Sequence, residues 1–278
     1  MANGSGTGRM TAPGVVFGGL LLVLIVVSIW LFMADQFWFT PVASEHGVAV
    51  DRLFTMILIV TGIAFIVVQG LLGWFVARYG ANGEERALYW HDNPKVEFIL
   101  IAFTAVTLTV LVFIGLNVWS DIYLADAPED AQIVEITGQQ FQWVIRYPGP
   151  DGELGTTFNP ESIDNINNFI GLDRNDPAGA DDIMTLNLLH LVVGEPVLLT
   201  IRSTDVIHSF HVPQFRVKQD AVPGLGIELW FTPTVAGEFE IACAELCGLN
   251  HFTMKGMVTV HEDQAGLDQF LEEQLEFQ

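Results

Sequence analysis

Cys243-Ala244-Glu245-Leu246-Cys247-Gly248-Leu249-Asn250-His251-Phe252-Thr253-Met254 is the stretch from which the rest of the chain can be read, taken together with His208 upstream. Two thiols, two imidazoles and a thioether form a soft to borderline ligand set. Such a set selects copper over magnesium or calcium, and a weak axial Met is typical of electron-transfer copper. A mononuclear blue-copper site uses a single Cys, so the second Cys four residues on requires something more. Two sulfurs can bridge two coppers, with His208 and His251 as terminal imidazoles. The remaining weak positions would go to the Met254 sulfur and to a backbone carbonyl between the cysteines. The expected site is a dinuclear copper centre.

Plainer readings compete with it. A Cys pair at this spacing outside the cytoplasm also suits a small disulfide loop. A zinc site is a third reading, but Cys-x3-Cys-x3-His-x2-Met lacks the usual finger spacing and leaves Met254 without a role. No Cys-x-x-Cys-His occurs, so the chain attaches no c-type haem.

Working outward from the site, composition shows a divided chain. It has 278 residues, 51% of them apolar, yet a formal charge of −22. Residues 120–278 hold 26 of the 33 acids and 6 of the 11 bases. Residues 1–119 are read as a membrane anchor and 120–278 as an acidic domain outside the membrane. Nucleic acid is not an expected partner for so acidic a surface. Only three lysines occur, so adaptation to salt stands beside partner docking as a cause of the acidity.

Three apolar runs, about 13–33, 53–76 and 98–119, are long enough to cross a bilayer as helices. The first exceeds the apolar region of a signal peptide and has only Arg9 before it, which favours an uncleaved helix. Trp30, Phe37, Trp38 and Phe39 are expected at its interfacial end. The second connection carries Arg78, Arg86 and Lys95 against a lone Arg52 in the first, which places residues 79–96 in the cytoplasm and the C-terminal domain outside. Gln69, Thr104, Thr107, Thr109 and Asn117 are candidates for contacts between helices, and Gly18, Gly19, Gly62 and Gly70 for close packing. Glu97, at the start of the third run, reads on its own as a carboxylate favoured by a helix N-terminus.

From Ala131 the pattern turns to short β-rich pieces: 133–137, 140–147, 185–191, 197–202, 215–218, 228–232, 237–242 and 255–260. They predict an antiparallel β-sandwich, so the fold class is a membrane-anchored all-β protein. Pro148-Gly149-Pro150-Asp151-Gly152 marks a turn, and residues 153–182 read as a long acidic surface insertion. His211 lies three residues from His208 in an extended segment, so its side chain should diverge from the site. His190 and His261 read as ordinary histidines of the domain.

Asp205-Val206-Ile207-His208-Ser209-Phe210, Lys218-Gln219-Asp220-Ala221-Val222-Pro223-Gly224 and the Cys243–Met254 stretch together resemble subunit II of haem-copper cytochrome c oxidase. The resemblance runs from the second apolar segment to about Val260. It implies a cupredoxin-like copper domain and the mixed-valence dinuclear centre called CuA. His208, Cys243, Cys247, His251 and Met254 match the family's side-chain ligands, and Glu245 matches the residue lending its carbonyl. The Glu245 carboxylate, by the same resemblance, reaches a magnesium ion shared with subunit I.

Further implications concern partners and paths. Val96-Glu97-Phe98-Ile99 aligns with the family's third-helix start, where a Glu marks the entrance of a proton path into subunit I. Gly138-Gln139-Gln140-Phe141-Gln142-Trp143 resembles the aromatic strand on which electrons from cytochrome c arrive; Phe141 stands where the family has Trp, and Trp143 matches the second aromatic position. The implied protein takes electrons from a cytochrome c type donor and passes them to haem in subunit I, which reduces oxygen and translocates protons. Subunits I and III are the implied partners, in a bacterial plasma membrane with the copper domain on the periplasmic side. The alternatives are a CuA-containing nitric oxide reductase subunit and a membrane-anchored copper-binding or delivery protein.

Overall fold

A computed structural model describes residues 12–34, 40–79, 92–157, 168, 170–173 and 175–275. Three helices come first: α1 (Ala12–Met33), α2 (Glu45–Tyr79) and α3 (Pro94–Tyr123). Each is long and apolar enough to cross a membrane, and even α1, at ~1.5 Å per residue, reaches about 33 Å. The three expected spans fall inside these helices. Both α2 and α3 extend beyond their apolar windows because capping residues lie further out. Ser44 Oγ accepts the Gly47 N–H at 3.0 Å before α2. Asn93 Oδ1 accepts the N–H groups of Lys95 and Val96 before α3, with Pro94 at the first helical position.

Of the glycines expected at helix contacts, Gly18 lies against Gly73, where an added Cβ would come within 3.2 Å of the Gly73 carbonyl. Gly19, Gly62 and Gly70 face open space. Thr107 donates to the Phe103 carbonyl of its own helix at 2.9 Å. Phe37, Trp38, Phe39 and Arg86 lie outside the described residues.

The chain divides into two compact units, 1–39 with 52–115 and 40–51 with 116–278. The second therefore recruits the head of α2. Arg216 holds that head with a two-pronged ion pair to Asp51, at 2.8 and 3.0 Å, and donates to the Thr40 carbonyl at 2.8 Å. Ser44 donates to the Phe215 carbonyl at 2.6 Å.

Within this unit the strands are β1 (Gln132–Gln139), β2 (Gln142–Tyr147), β3 (Ile183–Leu186), β4 (Leu188–Val192), β5 (Val197–Ser203), β6 (His208–Val212), β7 (Val217–Ala221), β8 (Ile227–Phe231), β9 (Gly237–Cys243) and β10 (Lys255–His261). They form two five-stranded sheets, ordered β3-β2-β1-β5-β8 and β4-β10-β9-β6-β7. Val134, Ile136, Trp143 and Ile145 of the first sheet and Leu189, Phe210, Ile241 and Val258 of the second belong to one fully buried cluster. Alternation along β5, buried at every second residue, reflects this one-sided burial.

Four features differ from the sequence expectation. The sheets are mixed, since β1 pairs with β5 and β4 with β10 in parallel; parallel neighbours need long crossovers, and both pairs are far apart in the chain. The piece 185–191 is two strands. Asn187 between them has φ 61°, bonds Trp143 through its own N–H and side chain, accepts from Met257 N, and so sends β3 into one sheet and β4 into the other. The piece 215–218 is broken by a 3-10 turn (Pro213–Phe215) and by Arg216 at φ 55°. Lastly, β6 begins at His208, and a terminal helix α4 (Gln264–Leu275) packs by Leu267, Phe270 and Leu271 onto the β unit.

Candidate metal centre

The ligand atoms lie where two adjacent strands meet the loop that follows one of them. β6 pairs with β9, Phe210 opposite Cys243 and His211 opposite Ala242, which sets His208 beside Cys243. Cys243 N–H donates to the Met254 carbonyl at 3.2 Å and closes the loop on itself. Inside it a 3-10 turn (His251–Thr253) brings His251 and Met254 back toward the cysteines.

The sulfurs of Cys243 and Cys247 are 3.8 Å apart, far beyond the ~2.05 Å of a disulfide. His208 Nδ1 lies 4.0 Å from the Cys243 sulfur and His251 Nδ1 3.6 Å from that of Cys247. Met254 Sδ is 3.7 Å from the Cys247 sulfur, and the Glu245 carbonyl is 3.2 Å from that of Cys243. All five side chains and the carbonyl predicted from sequence are thus brought together. His208, Cys247 and Met254 are almost wholly buried. Burial, with the neighbouring Cys243 adding to it, pushes the Cys247 thiol up to about 11; a metal binding here must displace protons, as thiolate sites do.

The imidazole of His208 is oriented from behind. Its Nε2 bonds Asp205 Oδ1 at 2.8 Å, leaving Nδ1 to face the sulfurs. Burial is the largest single influence on Asp205 and raises its pKa, but the hydrogen bonds from His208, Gln140 N and Val206 N outweigh it and lower the net value. Gly138 makes room for the ring, since a Cβ there would come within 2.9 Å of His208 Cδ2. Sequence reasoning missed Asp205, Gly138 and Gln140 as supports, although all three lie inside the motifs it quoted. His211 does diverge: its Nδ1 bonds the Val217 carbonyl. His190 and His261 bond each other at 2.9 Å under α4, away from the ligands.

Trp143 is fully buried, its ring edge-on to His208 at 6.0 Å and to Phe210 at 5.7 Å. Phe141 is half-buried, with its ring against Gly248 of the ligand loop. The Glu245 side chain is exposed. Glu97 belongs to the other compact unit, where its Oε1 accepts the Asn93 N–H at 3.2 Å and completes the start of α3.

This set of donors, two sulfurs with two imidazole nitrogens, a thioether and a carbonyl, fits copper by its softness. Among known proteins, the chain is similar to subunits of cytochrome oxidases. Residues 133–261 match the family described as cytochrome C oxidase subunit II, periplasmic domain. The alternative cytochrome c oxidase subunit 2 of Bradyrhizobium diazoefficiens is 38% identical over 261 residues, covering 93% of this chain and 91% of its own. The cytochrome c oxidase subunit 2 of a Synechocystis species is 31% identical over 278 residues, covering 91% and 80%. The crystal structure of the periplasmic domain of subunit II of cytochrome oxidase from Bradyrhizobium japonicum is 27% identical, covering 54% of this chain and 98% of that one, with a TM-score of 0.40. The chain belongs to the cytochrome c oxidase subunit II family.

Proposed function

We propose that this chain is the electron-accepting subunit of a membrane-bound cytochrome c oxidase, taking electrons from a cytochrome c type donor and relaying them to haem in subunit I. Oxygen reduction and the coupled proton translocation belong to subunit I. The placing of His208 and the Glu245 carbonyl 4.0 and 3.2 Å from the Cys243 sulfur, and of His251 and Met254 3.6 and 3.7 Å from the Cys247 sulfur, with the two sulfurs 3.8 Å apart, carries this reading. Those six residues would hold two copper ions as CuA in a cupredoxin-like domain. When bound, such a pair would supply a one-electron carrier, with Cys243 and Cys247 as its thiolate ligands.

The protein's own part is to hold the donors in place and keep water from them. Asp205 fixes the His208 tautomer, and the sulfurs lie in the core cluster with Phe210 and Trp143. Phe141 offers a half-buried aromatic surface next to the loop and Trp143 a buried one next to His208, a sequence suited to electron arrival. The exposed Glu245 carboxylate is available for magnesium shared with subunit I. α3 buries none of its residues within this chain, leaving its faces for partner helices of subunits I and III or for lipid. The membrane would be the bacterial plasma membrane, with residues 120–278 on the periplasmic side and 1–119 as anchor. The relatives' names do not favour the nitric oxide reductase or copper-delivery alternatives.

Metal analysis and electron paramagnetic resonance of the purified complex test the central claim. Two coppers per chain and a delocalised mixed-valence signal are expected, abolished by Cys243→Ser or Cys247→Ser; one copper, zinc or an intact Cys243–Cys247 disulfide in active protein would refute it. For Glu97, proposed at the entrance of a proton path, Glu97→Ala should slow turnover several-fold with copper content unchanged. Full turnover in that variant leaves Glu97 as a helix-start residue only.

A further inference from the structure

We infer that Gln140, in the turn between β1 and β2, is a positioning residue of the metal centre, linking the two chain segments that supply its ligands. The inference rests on the copper reading above. His208 comes from the head of β6, whereas the cysteines, His251 and Met254 come from the loop after β9. On the sheet side the two segments are joined directly, Ala244 N–H donating to the Ser209 carbonyl at 2.9 Å. On the opposite side the join runs through Gln140. Its backbone N–H donates to Asp205 Oδ2 at 2.7 Å, and the other oxygen of that carboxylate holds His208 Nε2 at 2.8 Å. Its side-chain Nε2 donates to the carbonyl of Cys247 at 2.6 Å. Gln140, through Asp205, thus connects a cysteine ligand to a histidine ligand by three hydrogen bonds and no metal.

The loop is shaped to admit that amide. Gly248 follows the accepting carbonyl at φ 138°, a region L side chains rarely adopt. A Cβ at Gly248 would stand 2.8 Å from Gln140 Nε2 and 3.2 Å from two carbons of the Phe141 ring, so both turn residues occupy the space its missing side chain leaves. A hydrogen bond to the Cys247 carbonyl fixes the 247–248 peptide plane, and with it the direction in which the Cys247 sulfur leaves the backbone. Loss of such outer contacts typically costs 10–100-fold in metal affinity. Gln140 is exposed overall, and water replaces part of a lost surface bond, which puts the expected loss at the lower end, about tenfold.

The test uses the full chain in detergent, loaded with copper and titrated with a copper(I) chelator. Gln140→Met keeps the length and removes the donor; Gln140→Glu turns carboxylate oxygen toward the Cys247 carbonyl. Gln139→Met is the control, because among the described residues the Gln139 side chain accepts only from Gln142. The expected result is about tenfold weaker copper retention in Gln140→Met, a larger loss in Gln140→Glu and none in Gln139→Met. The reduction potential and copper hyperfine pattern should shift in the same order, while the thermal midpoint of the metal-free chain barely moves. Gln140→Met with the retention and potential of the parent overturns the inference alone. A parent chain that takes up no copper overturns the copper reading and this inference with it.

Discussion

The ligand loop, residues 243–254, and the acidic insertion, residues 153–182, both lie between strands, yet their described residues use their polar atoms in opposite ways. Along the insertion, polar groups bind one another locally. Asn168 exchanges two hydrogen bonds with Leu172, both at 2.7 Å, and Asp176 accepts from Thr156 and Ala178. Its far end is fastened where Arg146 donates to Asp182 at 2.7 Å and to the Gly155 carbonyl at 2.7 Å, while also pairing with Glu135. Ile170 and Leu172 add a small apolar cluster with Val144. In the ligand loop the strongest donors instead face a common point and, sulfur to sulfur, do little for one another. Polar atoms paired locally make structure; soft donors gathered within about 4 Å of a shared pair of sulfurs are what a copper ion can use.

The sharpest way to break this comparison is to loosen the insertion and leave the loop alone. Arg146 and its partners Glu135 and Asp182 have side chains no more than 3% exposed. Removing one member of a buried ion pair costs ~3–5 kcal/mol, because the remaining charge is uncompensated. Arg146→Met should therefore lower the denaturant midpoint of the β unit by an amount of that order, with copper uptake intact. Asp182→Asn should cost less, since burial already pushes the Asp182 carboxyl upward against the pull of Arg146. Loss of the copper signal in Arg146→Met would show that the two regions are not separable.

A smaller effect is expected on acidification. Burial, then the neighbouring His261, lowers the pKa of His190 to about 4, against an ordinary value near 6.5. With the folded value depressed, the unfolded chain binds the proton more readily between those limits. Stability is thus whole above about pH 6.5 and lost as pH falls toward 4. The ring is stacked on Phe270 of α4 at 3.4 Å, so the loosening should begin at that helix. Thermal melts at pH 7, 6, 5 and 4 should show a steeper acid decline in the parent than in His190→Gln; equal declines would assign it to the carboxylates instead.

How much of this was legible in the sequence follows from the same contrast. The candidate ligand set is written in residue identity: two Cys, two His and a Met mark the possible donors before any fold is known. The apolar runs were legible too, because a membrane span is set by length and composition alone. Strand direction was not, since β1 and β5 find each other across the whole insertion and no local pattern records that partner. Nor was the break at Asn187, whose left-handed backbone is secured by bonds to Trp143 and Met257 on two different strands. The supports of the site were hidden for a related reason. Asp205 and Gln140 are ordinary polar residues 65 positions apart and acquire their roles only by meeting.

The last and subtlest contrast is between charge at a distance and contact at the loop. Residues 120–278 carry 26 acids against 6 bases, a field that should draw in a basic cytochrome c and raise its encounter rate. The loop itself carries no charged residue from 246 to 254, and Leu246, Leu249 and Phe252 stand 78%, 90% and 74% exposed. Glu240, on the strand leading into it, is already paired with Lys255 at 3.0 Å. Steering and contact should therefore separate. As the Debye length falls from about 30 Å at 0.01 M salt to about 10 Å at 0.1 M, reduction of the copper centre by a basic cytochrome c should slow, with the loss in association. Neutralising acids remote from the loop should flatten that salt dependence. Leu249→Ser or Phe252→Ser should leave its slope unchanged and speed dissociation several-fold. Stopped-flow rates at four or five salt concentrations decide it: a slope that changes in Leu249→Ser, or a parent rate indifferent to salt, would show that charge and contact are not divided between surface and loop in this way.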